Sequence, residues 1–199
     1  MKIEMKDLSG PQTHELLTSA ISPLPIALIS TVGEDGIYNA APYSLTIPVS
    51  WKPPIVCVSF GLHGGQKKDT QRNIEFSQDF VINTMDETLI KPTIQTAASY
   101  PSHVDEMKKV GLTAIASEKV KAPRVAEAQV SLECRFVQKL EFGEGEDFRT
   151  VIFGEVVCVH IKDEVWVSGK INPSLLKAVG RLGNGIYCRV KDIFRLTPS

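Results

Sequence analysis

The sequence predicts a mainly β fold, an antiparallel barrel with helices covering its open ends, and three observations carry that reading. About seven β-prone runs punctuate the chain, most of them joined by turns. Strand and helix do not alternate regularly, which argues against a doubly wound parallel sheet. From Val130 to Phe136, Val130, Leu132, Cys134 and Phe136 alternate with Ser131, Glu133 and Arg135, the period of a strand with one covered face.

Taken in order, a short helix is expected over 14–21, ended by Ser22-Pro23-Leu24-Pro25, because proline lacks a donor and restricts the residue before it. Residues 26–32 read as a buried strand, Gly33-Glu34-Asp35-Gly36 as a tight turn, and 37–41 as the return strand of a hairpin. Pro42 cannot donate to a ladder, so the extended stretch over 42–47 belongs at an edge or a bulge. After Trp51-Lys52-Pro53-Pro54 comes a strongly β-prone run over 55–60, and a further strand is expected over 80–84. Between these two lies GGQKKDTQRNIEFSQDF, residues 64–80, where Asp69-Thr70 signals the start of an amphipathic helix. In it Ile74 and Phe76 should pack inward, while Gln71, Arg72, Glu75 and Gln78 should face water.

Residues 86–99 are polar-rich and weakly helical. Ser102 with Asp105 three residues later resembles a capping box, for a helix that ends near Gly111. An irregular connection over 115–124 precedes the alternating strand, and a turn over 143–147 joins that strand to a long one over 150–161. Gly154 inside the long strand suggests a bulge or a bend at a barrel corner. A short strand over 164–167, a helix capped by Asn172-Pro173 with Leu175, Leu176 and Val179 on one face, and a strand over 186–190 complete the chain. No repeat or linker interrupts the 199 residues, which read as one domain.

Composition narrows the function. A formal net charge of −1 offers no global attraction to nucleic acid or an anionic membrane, so any anion-binding charge must be local. The N-terminal stretch lacks the apolar core of a signal peptide and no apolar run approaches a membrane span, so a cytoplasmic protein is expected. Cys57, Cys134, Cys158 and Cys188 are widely spaced within or beside apolar segments, as buried reduced thiols are. His14, His63, His103 and His160 show no paired spacing, so no metal site is expected, and His160 reads as a satisfied strand histidine. Neither GxSxG nor a Cys-His signature is present, which argues against a nucleophilic hydrolase. Trp51 and Trp166 have bulk suited to an interface, with core packing the expected place for both.

The stretch over 64–80 is the chief candidate for chemistry. A helix N-terminus carries free N–H groups and about half a positive charge, so with Lys67 and Lys68 upstream it has the ingredients of a phosphate cradle. It matches neither GxxxxGK[ST] nor GxGxxG. By themselves these residues also describe an ordinary capped surface helix behind a solvated lysine pair.

Four stretches in order raise a more specific possibility: Pro25-Ile26-Ala27-Leu28-Ile29-Ser30-Thr31 with Asn39-Ala40-Ala41-Pro42-Tyr43-Ser44; Lys68-Asp69-Thr70 with Arg72-Asn73-Ile74; Tyr100-Pro101 with Val104-Asp105-Glu106; and Gly180-Arg181-Leu182-Gly183-Asn184-Gly185-Ile186-Tyr187. Together, from about Pro23 to Val190, they resemble the flavin reductase-like, FMN-binding split-barrel family, flavoredoxins included. The resemblance implies a homodimeric split β-barrel that holds FMN noncovalently near the subunit interface. It places Lys68, Asp69 and Thr70 at the phosphate, and Thr31, Asn39, Ala40, Ala41, Pro42 and Ser44 along the isoalloxazine and ribityl chain. It puts Ser59 near the phosphate end and Arg181 and Tyr187 in a segment approaching the flavin. Leu24 stands where many members carry arginine, and His63-Gly64-Gly65-Gln66 replaces an arginine-containing loop; both bear on which partner or pyridine nucleotide is recognised.

The implied activity is that of a flavoprotein oxidoreductase, with hydride entering FMN from NADH or NADPH and electrons leaving to a flavin, a ferric complex or a redox protein. No side-chain acid or base is expected to be essential, because the cofactor carries the chemistry. A flavoredoxin-type electron carrier reduced by a protein partner, and a flavin-binding module without turnover, are the alternatives.

Overall fold

The computed structural model describes residues 1–196. In chain order, helix α1 (Gly10–Ala20) leads through β1 (Leu24–Pro25) into β2 (Ala27–Val32), β3 (Tyr38–Tyr43), β4 (Thr46–Trp51) and β5 (Pro54–Gly61). Helix α2 (Asp69–Ser77) and strand β6 (Asp79–Thr84) follow, then α3 (Ile90–Gln95), α4 (Glu106–Lys109) and the short pair β7 (Ala114–Ile115) and β8 (Arg124–Val125). Two long strands, β9 (Val130–Phe142) and β10 (Arg149–Ile161), precede β11 (Trp166–Val167), β12 (Lys170–Ile171), α5 (Pro173–Leu176), β13 (Val179–Gly183) and β14 (Ile186–Arg189).

Seven strands form one antiparallel sheet in the order β3-β2-β6-β9-β10-β5-β4. The sheet curls until β3 approaches β5, with the Tyr43 ring of β3 edge-on to Phe60 of β5 at 4.7 Å. Ile29, Tyr43, Val58, Phe60, Ile74, Phe80, Cys134 and Ile152 fill the interior, a core drawn from six strands and α2. As expected of a proline in a ladder, Pro42 lies on an edge strand. Gly154 marks a register shift between β10 and β9, and a Cβ there would lie 2.5 Å from Phe80 Cζ. The interior ring therefore requires a residue without a side chain at that position.

The outer face of β2 and β6 is covered as well. Leu28, Ala40, Met85, Leu89, Met107, Leu112 and Val125 make a second core beneath α3, α4 and the connection that follows. Buried polar side chains hold that connection. Asp79 accepts N–H bonds from Lys121 (3.0 Å) and Ala122 (3.1 Å), Asn83 from Val125 (3.0 Å), and Glu133 from Glu118 (2.9 Å) and Lys119 (2.7 Å). This corrects the one-faced reading of the alternating strand, since Ser131 is 4% and Glu133 0% exposed. A period reveals which residues share a face, but not whether a distant segment will cover it.

Other expectations shift too. In α2, Ile74 is buried as expected, but Phe76 is exposed and Gln71 is buried, its amide donating to the Thr150 hydroxyl at 3.1 Å. Asp105 is the N-cap of α4, accepting from the Lys108 N–H at 2.9 Å, in place of Ser102. Helix α5 is one turn long, and Val179 opens β13 instead of extending the helical face. Trp51 and Trp166 are 81% and 46% exposed, not in the core. No helix among the described residues is long and apolar enough to cross a membrane.

Candidate functional site

Beside the open end of the barrel, β3, the loop into α2, and the stretch from Thr96 to Glu106 enclose a cleft of about 330 Å³, within the ordinary range of ligand pockets. Asn39, Ala41, Pro42, Lys68, Asp69 and Thr70 line it, so six of the residues singled out from the sequence meet there. They are brought together because β3 runs along the sheet edge and α2 packs back on β2 and β3.

The wall formed by α2 is electropositive. Lys68 is the helix N-cap residue and its side chain does not cap, so the first-turn N–H groups lack a side-chain acceptor among the described residues. Lys67 is taken up by Glu75 at 2.7 Å and Arg72 by Asp69, whereas Lys68 has no carboxylate at ion-pair distance among the described residues. Its ammonium sits 5.5 Å from the centre of the Tyr43 ring. Although it reaches solvent, desolvation by the surrounding chain and then the Arg149 guanidinium hold its pKa below the ordinary lysine value. His14 is likewise lowered, first by burial and then by Arg181 and Arg149. A positive corner thus exists on a chain of net charge −1.

The opposite wall is acidic and hydrogen-bonded. The Ala40 N–H donates to Glu106 Oε2 at 3.0 Å. Oriented by its neighbours, the Asn39 amide donates to the same oxygen (3.2 Å) while its carbonyl accepts from the Thr70 hydroxyl (2.9 Å). Glu106 is 8% exposed; burial, aided by Asp69 and Asp105, pushes its pKa up to about 7 against the pull of the Ala40 N–H. Its carboxyl therefore keeps a proton close to neutrality. Tyr43 also lines the cleft, its buried hydroxyl lying beside the Thr70 side chain.

The remaining sequence-derived residues lie off this wall. Thr31 is fully buried behind it, accepting from Asn73 at 3.0 Å and so fixing the helix against the strand. Ala40 turns its side chain into the outer core and offers the cleft region only its N–H. Ser44 accepts from Arg181 at 3.1 Å just beyond the cleft, and the Arg181 Nε is buried without a partner among the described residues. Ser59 pairs with Val151 on β10, and its N–H donates to the Leu45 carbonyl at 3.0 Å. Tyr187, although paired with Arg181, lines a different cavity with Glu87, Ile90 and Cys188. Tyr43, Tyr100 and Glu106 are cleft residues absent from the sequence-derived site set. Glu106 had a legible signal, an acid at the start of a predicted helix, but nothing local tells that it faces β3.

The donor set suits a flat, anionic ligand such as a flavin phosphate ester. An unpaired ammonium and free helix amides face the cleft, and small or ring-shaped residues (Ala41, Pro42) leave room for a plane. The model of the family described as "Flavin reductase like domain" matches residues 19–173. The crystal structure of nitrilotriacetate monooxygenase component B from Bacillus cereus is 31% identical and superposes with a TM-score of 0.94, covering 98% of both chains. The 2-nitrobenzoate 2-nitroreductase NbaA of Pseudomonas fluorescens is 29% identical with a TM-score of 0.90, over 100% of this chain and 96% of its own. A split-barrel protein of Shewanella frigidimarina NCIMB 400, 20% identical with a TM-score of 0.85 over all of both chains, shares the fold.

Proposed function

From the premise that this chain belongs to the flavin reductase-like domain family, we propose that it is a flavoprotein oxidoreductase working with FMN, reduced by NADH or NADPH and passing electrons to a flavin, a ferric complex or a redox protein. The observation that carries the reading is the meeting of Lys68 and the free amides of α2 in one cleft. FMN bound there would supply hydride acceptance at N5 and onward electron release. Lys68 and the first-turn amides would hold its phosphate, Thr70 contributing its backbone N–H while its hydroxyl donates to the Asn39 carbonyl. Ala41 and Pro42 would let the ring plane approach β3 closely. Glu106, protonated near neutrality, adds little negative charge beside an anionic ligand.

Anaerobic addition of NADH or NADPH to the yellow holoprotein should bleach it. A protein that takes up no FMN would refute the reading, and one that binds FMN but is bleached only by a reduced redox protein would make it an electron carrier. Replacing Lys68 with alanine should weaken FMN by about 10- to 100-fold, the worth of a charge-assisted contact, and leave riboflavin nearly unchanged. Equal weakening of both ligands would show that this loop does not hold the phosphate. Because one similar structure is a nitroreductase, a nitroaromatic acid belongs in the acceptor panel beside free flavin and ferric complexes.

The reading includes a homodimer. Supporting it, the edge strand β4 and its approach expose Leu45 (39%), Ile47 (49%), Val49 (46%) and Trp51 (81%), an uncovered apolar edge of the kind that pairs or packs. Light scattering should return twice the chain mass, and Trp51→Asp should lower it toward the monomer. A monomeric mass with full flavin affinity would contradict this assembly.

A further inference from the structure

A second site lies on the outer face of the sheet, where three metal-ligating side chains of different chemistry point at one another. The β9–β10 ladder shifts register between Val156 and Cys158. Before the shift Val156 pairs with Cys134, on the face turned to the barrel core; after it Cys158 pairs with Glu133 and His160 with Ser131. Without the extra residue, Cys158 and His160 would continue the face of Val156. The bulge moves both to the face of Glu133, a re-aiming of side chains for which bulges are known.

The result is a convergent set. His160 Nε2 is 2.6 Å from Glu133 Oε1 and 3.5 Å from Cys158 Sγ, and the three donor atoms lie within 4.8 Å of one another. The same ring nitrogen faces both neighbours, so this is no nucleophile–base–carboxylate relay, which would use the two nitrogens separately. We propose that Glu133, Cys158 and His160 form a binding site for a zinc-class divalent cation. The donor set of one thiolate, one imidazole and one carboxylate selects a borderline metal over Mg²⁺ or Ca²⁺.

The surroundings support it. Glu133 is fully buried and both its oxygens are oriented by backbone N–H groups, from Glu118 to Oε1 and from Lys119 to Oε2, as outer-shell donors orient metal carboxylates. Arg124 Nε is 3.8 Å from Oε1, but the guanidinium hydrogen-bonds to the Ala116 carbonyl at 2.9 and 3.3 Å. Cys158 and His160 are partly exposed, and His160 lines an open cavity with Arg124, Ser131 and Lys162, which gives an ion a route and a water for the fourth position. With zinc–ligand bonds of about 2.0–2.3 Å, neighbouring donors sit about 3.3–3.7 Å apart. The sulfur–nitrogen separation already matches, and the nitrogen–oxygen contact must open by less than about 1 Å, the ion replacing the proton shared there. A neutral imidazole ligating through Nε2 carries its one proton on Nδ1, so binding shifts that proton across the ring and releases the thiol proton of Cys158 to solvent. The site would fasten the two long strands to the connection that covers the outer core.

Titration of the metal-free chain with Zn²⁺ against a chromophoric chelator should show one equivalent per chain that excess Mg²⁺ does not displace. Cys158→Ser and His160→Gln should each weaken it by about 100-fold or more, and Cys188→Ser should leave it unchanged. On the unaltered chain, Zn²⁺ should slow alkylation of Cys158 relative to Cys57 and Cys188, mapped by peptide mass; this arm needs no variant to fold. Absence of a stoichiometric equivalent, or alkylation of Cys158 undiminished by Zn²⁺, would overturn the proposal.

Discussion

Replacing Glu106 with glutamine should change how stability depends on pH. The carboxyl is 8% exposed, and its pKa rises from 4.5 to about 7 on folding. For an acid, a raised folded value means that the ionised form destabilises the fold. Below about pH 4.5 both states are protonated and there is no cost. Between the two values the unfolded chain gives up the proton while the folded chain keeps it, and stability falls by about 1.4 kcal/mol per pH unit. Above about pH 7 the loss levels off at about 3 kcal/mol. Glutamine keeps an oxygen for the Ala40 N–H and carries no charge, so E106Q escapes the loss. The assay is urea unfolding of both flavin-free chains at intervals from about pH 5 to about pH 8, with other titrating groups cancelling in the difference. The advantage of E106Q should grow by about 2.5 kcal/mol across that range. A difference that stays flat, or that moves against the variant as pH rises, would refute the claim that burial keeps Glu106 protonated.

Two further expectations concern the fold that builds the cleft. Gly154→Ala places a methyl 2.5 Å from Phe80 Cζ and 3.3 Å from the Arg135 carbonyl, in an interior where Phe80 is fully buried. It should cost about 1–3 kcal/mol in denaturant unfolding, and a loss below about 0.5 kcal/mol would mean the ring can move aside. Asn83→Ala removes the acceptor of the Val125 N–H and the donor to the Leu28 carbonyl, at about 1–3 kcal/mol for each buried group left unpaired. Amide exchange at Val125 should accelerate before exchange in the central strands does; unchanged protection there would show that apolar packing, not Asn83, holds the connection.

The missed and displaced residues share a physical cause. Gln71 and Phe76 lie within one predicted helix, yet Gln71 is buried because Thr150, far along the chain, supplies a hydrogen-bond partner, and Phe76 is exposed because no element covers it. Glu133 occupies a polar position of a correctly recognised strand and is fully buried, because the amides of Glu118 and Lys119 satisfy it. Polar residues can enter a core wherever partners are brought to them, and the partners are remote in sequence. Glu106 belongs with these: its environment is made by Ala40 and Asn39.

By itself the sequence determined what depends on local chemistry. Turn residues and β-branched runs marked the strands, Pro42 an edge, Gly154 a bulge, and Asp69-Thr70 a helix start behind two lysines. Only the tertiary structure decided which of those lysines is free, because Glu75, one face along the helix, neutralises Lys67 and leaves Lys68 facing the cleft. It likewise decided that Cys158 and His160 share a face with Glu133, since a one-residue shift between two strands sets that and no period within either strand records it.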